Sequence, residues 1–171
     1  EGRVDILTST LGKALGGTAG GFIASRKEII DKLRNKARPY LFSNNISPVT
    51  AATGIEIIDR IENSRDLIEK LGDNTAYFRR AMLEAGFDLR DPKAVHPVVP
   101  VMLGDAKLAA HFAKLMIEEE GIYVIAFSYP VVPQGEARIR VQISAAHNQE
   151  HLDKAISAFK KVGEQLGVLK I

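Results

Sequence analysis

An α/β fold is predicted by two features of this 171-residue sequence. Near the amino terminus, a glycine-rich loop at residues 7–21 separates two short strand-like runs. From about residue 87 onward, apolar runs of strand length alternate with amphipathic helical stretches. Helices separated by strands in this way predict a sheet with helices packed on one face.

Taken in order, Val4 to Leu7 and Gly21 to Ala24 read as short strands joined by the loop. Ser25 is placed to cap a helix from Lys27 to Ala37, with Ile29, Ile30 and Leu33 on one face. Arg38-Pro39 is expected to stop it, because a residue before proline avoids helical geometry. Residues 39–48 are rich in turn formers and read as a polar loop. Ser47-Pro48 opens the next helix, which carries Ile55, Ile57, Ile58 and Ile61 to about Asn63. Another starts near Arg65, presents Leu71, Phe78 and Met82, and ends at Gly86. Strands at Val98 to Leu103, Tyr123 to Phe127 and Ala137 to Ile143 follow, with a helix at Ala106 to Glu119. Glu150 to Leu166 closes the chain as a helix. These readings divide the chain into 1–47, a connecting helix at 48–64, and a small α/β domain at 65–171.

Bulk properties exclude several classes of function. With 23 basic and 21 acidic side chains the formal charge is +2, which gives no nucleic-acid surface; the basic clusters read as solvated helix faces. The chain has no cysteine, so disulfides and thiolate chemistry are ruled out and a reducing, cytoplasmic setting is expected. No apolar run approaches a membrane span. Glu1-Gly2-Arg3 has no signal-peptide profile and leads abruptly into a strand, as in a chain that begins mid-protein.

Lys13 stands within the glycine-rich loop, away from any run of basic residues. A nucleotide-binding phosphate loop would need a leading glycine and a Ser/Thr directly after the lysine, where this chain has Ala14. A plain turn with a solvated lysine is the bland alternative. The third reading is a lysine that forms a Schiff base with pyridoxal 5'-phosphate, with the Thr10 hydroxyl available to the cofactor phosphate. Further along, Arg138 and Arg140 alternate on a predicted strand and so share a face. Two such arginines form either a solvated edge or a fork that matches a carboxylate.

The stretch Thr10-Leu11-Gly12-Lys13-Ala14-Leu15-Gly16-Gly17 resembles the lysine signature of the alpha-oxoamine synthases, which are fold-type I pyridoxal-phosphate enzymes. The segment Arg38-Pro39-Tyr40-Leu41-Phe42-Ser43-Asn44 and the run from Arg138 to His147 resemble the same family. The loop Tyr129-Pro130-Val131-Val132-Pro133-Gln134-Gly135 narrows the match within it. The resemblance implies the end of a fold-type I large domain followed by the small carboxyl-terminal α/β domain. It implies that Lys13 holds the cofactor and Thr10 contacts its phosphate. Ser43 and Asn44 would reach the phosphate bound by the other subunit of a homodimer, although many members have threonine or serine at both places. Arg140 would bind the amino-acid carboxylate, with Arg138 structural. The implied reaction condenses glycine with acetyl-coenzyme A, and the reverse reaction cleaves the product. Family members are about twice this length, so a ring-stacking histidine and an aspartate for the pyridine nitrogen are expected upstream, and the piece alone is expected to be inactive. A non-catalytic α/β module for dimerisation or small-molecule binding is the rival from another class. The four histidines, His96, His111, His147 and His151, lack the accompanying ligands of a metal site.

Overall fold

The computed structural model describes residues 3–15 and 19–169. Its contacts divide the chain after Arg65 into two compact units.

The first unit starts with an antiparallel hairpin, β1 (Ile6–Thr10) and β2 (Gly21–Ser25), with Ile6 opposite Ser25 and Thr10 opposite Gly21. The first strand lies later than the expected Val4 to Leu7. Thr8 and Thr10 are β-branched and suit a pleated strand, so the hydroxyl-rich run is ladder rather than loop. Helix α1 (Lys27–Lys36) follows without a side-chain cap. Ser25, the expected cap, instead donates its hydroxyl to the Asp5 carbonyl at 2.5 Å and ties the hairpin's open end. The proline did not end helical structure either. The break falls at Ala37, which is extended, and Pro39 sits in the first turn of the short helix α2 (Arg38–Leu41). A first turn tolerates proline because its N–H would have no partner there. Helix α3 (Pro48–Asn63) begins as expected, with the Ser47 hydroxyl accepting the Thr50 N–H at 3.1 Å.

The second unit opens with α4 (Asp66–Glu84), which ends at Gly86 as expected. Gly86 has φ +95°, its N–H bonds the Leu83 carbonyl, and the Phe87 N–H reaches back to Met82. That pair of bonds satisfies the helix's last carbonyls in a left-handed turn that favours glycine. Next come β3 (Val98–Gly104), α5 (Ala106–Glu118), β4 (Ile125–Phe127), β5 (Ala137–Gln142) and α6 (Gln149–Gln165). The sheet order is β3-β5-β4, with β5 central and antiparallel to both neighbours.

Alternation along these strands sends Val99, Val101 and Ile139 into the core beneath the helices. There they meet Phe112 and Met116 of α5, Phe78 and Met82 of α4, and Ile156, Phe159 and Val162 of α6. Phe159 is the hub. Its ring meets Phe78 and Phe87 edge-on at 6.3 and 6.0 Å, and Phe112 at 5.5 Å. Edge-on aromatic packing of this kind contributes beyond simple burial. The opposite sheet face presents Pro100, Arg138, Arg140, Ile125 and Phe127, by the same alternation.

Candidate functional site

In the first unit the loop carrying Lys13 is held at both ends. Leu11 donates its N–H to the Gly20 carbonyl at 2.9 Å, one step beyond the Thr10–Gly21 pair. The Leu11 side chain is buried and rests on α3 at Gly54, where a β-carbon would stand 3.5 Å from Leu11 Cδ1. Gly20, at φ +96°, passes so near Ile46 that a β-carbon would lie 2.9 Å from its Cγ2. The lysine loop is thus seated on α3 and on the segment that follows α2.

Lys13 lies two residues past this anchor and is exposed, with no ion pair among the described residues. Residues 7–21 contain no carboxylate to act as its resident counter-ion. Thr10 ends β1 with its side chain exposed, three residues before the lysine. Gly16 and Gly17 of the signature lie outside the described residues. Ser43 and Asn44 are exposed in the segment that leads to Ile46, and neither has a hydrogen-bond partner among the described residues. A primary amine with free hydroxyl and amide groups on one anchored scaffold is the donor set that an aldehyde-phosphate cofactor requires. The residues present fit pyridoxal phosphate.

Arg140 belongs to the second unit, on the central strand. Its surroundings differ from those of Arg138, for which the resemblance implied a structural role. Arg138 donates to the Glu136 carbonyl and carboxylate, both at 3.0 Å, and its side chain is mostly buried. Arg140 is exposed and makes no ion pair among the described residues. Pro100 and Ile125 stand directly across from it on β3 and β4, and its guanidinium carbon lies 4.2 Å from the centre of the Phe127 ring. A cavity of about 470 Å³ opens alongside, lined by Arg140, Tyr123, Gln142, His147 and Lys154 among others and by no carboxylate. This lining suits an anionic group.

His147 and His151 both use Nδ1 as an acceptor, from the Ser144 N–H at 3.2 Å and the Asn148 N–H at 3.4 Å. Asn148 returns the second bond by accepting the His151 N–H at 2.9 Å, which caps α6. In each ring the Nδ1 lone pair is taken by a backbone N–H and is not offered to a metal. No metal-binding cluster occurs among the described residues. Burial, reinforced by the nearby His151, holds the His147 pKa below the usual histidine value. The Asn74 amide then links α4 to this corner by donating to the Ser144 and His147 carbonyls, both at 3.0 Å. Asn74, Glu136 and Phe127 were not visible as site residues in the sequence: Asn74 and Phe127 act through contacts between separate elements, and Glu136 through a bond to Arg138 that no spacing rule singles out.

The description "Aminotransferase class I and II" fits residues 1–159 at the level of a whole protein family. The chain belongs to that family of fold-type I pyridoxal-phosphate proteins, in its alpha-oxoamine synthase branch. Among curated relatives, 2-amino-3-ketobutyrate coenzyme A ligase of Escherichia coli (strain K12) is 51% identical over 168 residues, covering 98% of this chain and 42% of the relative. The 8-amino-7-oxononanoate synthase of Thermosipho melanesiensis is 48% identical over 169 residues, covering 99% and 42%. A serine palmitoyltransferase solved with pyridoxal phosphate superposes with a TM-score of 0.92 at 28% identity, covering 99% of this chain and 42% of that one. The chain therefore spans about two fifths of the length of the relatives it matches. No helix among the described residues is long and apolar enough to cross a membrane.

Proposed function

We propose that this chain supplies the cofactor lysine and the carboxylate-binding arginine of a pyridoxal-phosphate-dependent glycine C-acetyltransferase. The reaction joins glycine to acetyl-coenzyme A to give 2-amino-3-ketobutyrate and free coenzyme A, and runs in reverse in threonine degradation. The observation that carries this reading is the anchored hairpin loop that presents Lys13, three residues after Thr10, with no counter-ion of its own. The 51% identity to a 2-amino-3-ketobutyrate coenzyme A ligase supports this reading, and the 48% identity to an 8-amino-7-oxononanoate synthase makes that sibling activity the alternative.

In this mechanism the Lys13 amine holds the cofactor aldehyde, and Thr10 donates its hydroxyl to the cofactor phosphate. Ser43 and Asn44 donate to the phosphate of the second subunit of a homodimer. Arg140 clamps the glycine carboxylate through its paired N–H donors. The cofactor, when bound, supplies an electron sink for the carbanion left at the glycine α-carbon. With its Nζ free, Lys13 would take the α-proton of glycine.

Intact-mass and peptide mapping of the full-length protein after borohydride reduction with pyridoxal phosphate tests the cofactor role. A reduced adduct on Lys13, lost in Lys13→Ala, is expected. Turnover should fall by at least about 10²–10⁴-fold in that variant, the range for loss of a positioned acid–base group. Absence of an adduct in the folded, full-length protein would leave a non-catalytic module. Product analysis, for 2-amino-3-ketobutyrate against 8-amino-7-oxononanoate, decides between the two siblings.

A further inference from the structure

We propose that Phe127 is a positioning residue for Arg140, setting the plane of the guanidinium so that its donor edge is offered to an amino-acid carboxylate. The proposal rests on the assignment of Arg140 as the carboxylate clamp.

The contrast between the two arginines of β5 carries the argument. Arg138 is held through polar contacts: Glu136 supplies both a carbonyl and a carboxylate, which occupy its donors and neutralise its charge. Arg140 is ordered without any such partner. Across the sheet face its neighbours are Pro100 and Ile125, directly opposite, and Met102 and Phe127, on diagonals, while Arg138 and Gln142 flank it on its own strand. Pro100, Ile125 and Phe127 carry no hydrogen-bonding side-chain group, and no hydrogen bond joins Arg140 to Gln142 among the described residues, so the five N–H donors are not taken up by the sheet. The Phe127 ring, 4.2 Å from the guanidinium carbon, attracts the cation through its π face and restricts the plane of the fork. An arginine steadied in this way keeps its edge free for two parallel bonds to a carboxylate. A carboxylate partner in place of Phe127 would order the side chain equally well and would have to be displaced by every substrate.

Phe127 is half-buried on a three-residue strand, directly opposite Arg138 and diagonal to Arg140. Its position two residues from Ile125 follows from the ladder, since only residues two apart on β4 share the face of Arg140.

The test compares Phe127→Met, Phe127→Leu, Phe127→Tyr and Arg140→Ala in the full-length, cofactor-loaded enzyme. Removing the π face in Phe127→Met, with its volume largely kept, is expected to raise KM for glycine about 2- to 5-fold, the range set by a cation–π contact at an exposed site. The equilibrium Kd for glycine should rise in parallel, while kcat changes less than about twofold and KM for acetyl-coenzyme A stays unchanged. Phe127→Tyr is expected to behave as wild type, and Phe127→Leu provides the same comparison if the methionine variant does not fold. The proposal is overturned if glycine KM is unmoved in Phe127→Met or Phe127→Leu while Arg140→Ala raises it. It is equally overturned if both KM values, kcat and Tm shift together, which marks a packing role alone. An Arg140→Ala variant with unchanged glycine KM instead removes the underlying assignment.

Discussion

The two units of the chain treat apolar side chains in opposite ways. In the second unit, Phe78, Phe112, Phe159, Val99, Val101 and Ile139 vanish into one cluster assembled from all three long helices and two strands. In the first unit, Leu11 is the one large apolar side chain classed as buried among the described residues, while Phe42, Val49 and Ile55 remain 79%, 74% and 63% exposed. The isoleucines of α3 have core-like spacing yet close no core in this chain. An isolated two-stranded hairpin is also marginal in water. The second unit thus makes its own stability, whereas the first is a chemical scaffold with an apolar surface available for covering.

Paired truncations probe that difference most strongly. Phe159→Ala should destabilise the second unit by about 3–5 kcal/mol, because the ring contacts three others and leaves a large cavity. Ile55→Ala should change the stability of this chain by only about 0.5 kcal/mol, as for other exposed positions. Urea denaturation measures both. An Ile55→Ala cost comparable to that of Phe159→Ala would break the comparison by showing that the α3 face is covered in solution.

A smaller effect separates local from tertiary stabilisation. Ser47→Ala removes the cap of α3 and should cost about 1 kcal/mol, read from the same denaturation curves. Ser47→Asp should restore most of it, since aspartate accepts the same N–H.

The smallest effect is one of pH and belongs to the second unit. His147 is held below its usual pKa, so the folded chain binds fewer protons than the unfolded one in the window beneath about 6.5. Its contribution is therefore fully present above that pH and is lost as pH falls through the folded value. Thermal melts should show Tm decreasing over this window, with a shallower decrease in His147→Gln.

Much of this architecture was legible in the sequence where a local rule and the tertiary structure agree. Ser47-Pro48, the Gly86 turn and the two arginines sharing a strand face are of that kind. The departures have physical causes. Pro39 marked a helix end by its effect on the preceding residue, yet it is accommodated as a first-turn residue after Ala37 takes the extended conformation. Tyr123 and Val124 read as strand, but the ladder to β5 extends only from Ile125 to Phe127, and Tyr123 is exposed. Histidine as the third residue of a capping box, in place of the usual Glu or Gln, gave no pattern to find. The resemblance gave Arg138 and Arg140 different roles, but the contacts that hold each side chain, Glu136 and Phe127, are set by the turn into β5 and by the pairing of a separate strand.

The central position of β5 has a consequence for molecular recognition. Because β5 is paired along both edges, the Arg140 backbone is fixed by its neighbours before any ligand arrives. The conformational entropy of that residue is lost during folding and is not charged again to each encounter with a ligand. A mobile loop bearing the same arginine would have to be immobilised at every turnover. Under the proposed function the ligand is a two-carbon amino acid, which would offer few contacts to offset such a loss. For so small a ligand, a prearranged strand arginine makes recognition chiefly a matter of electrostatic fit.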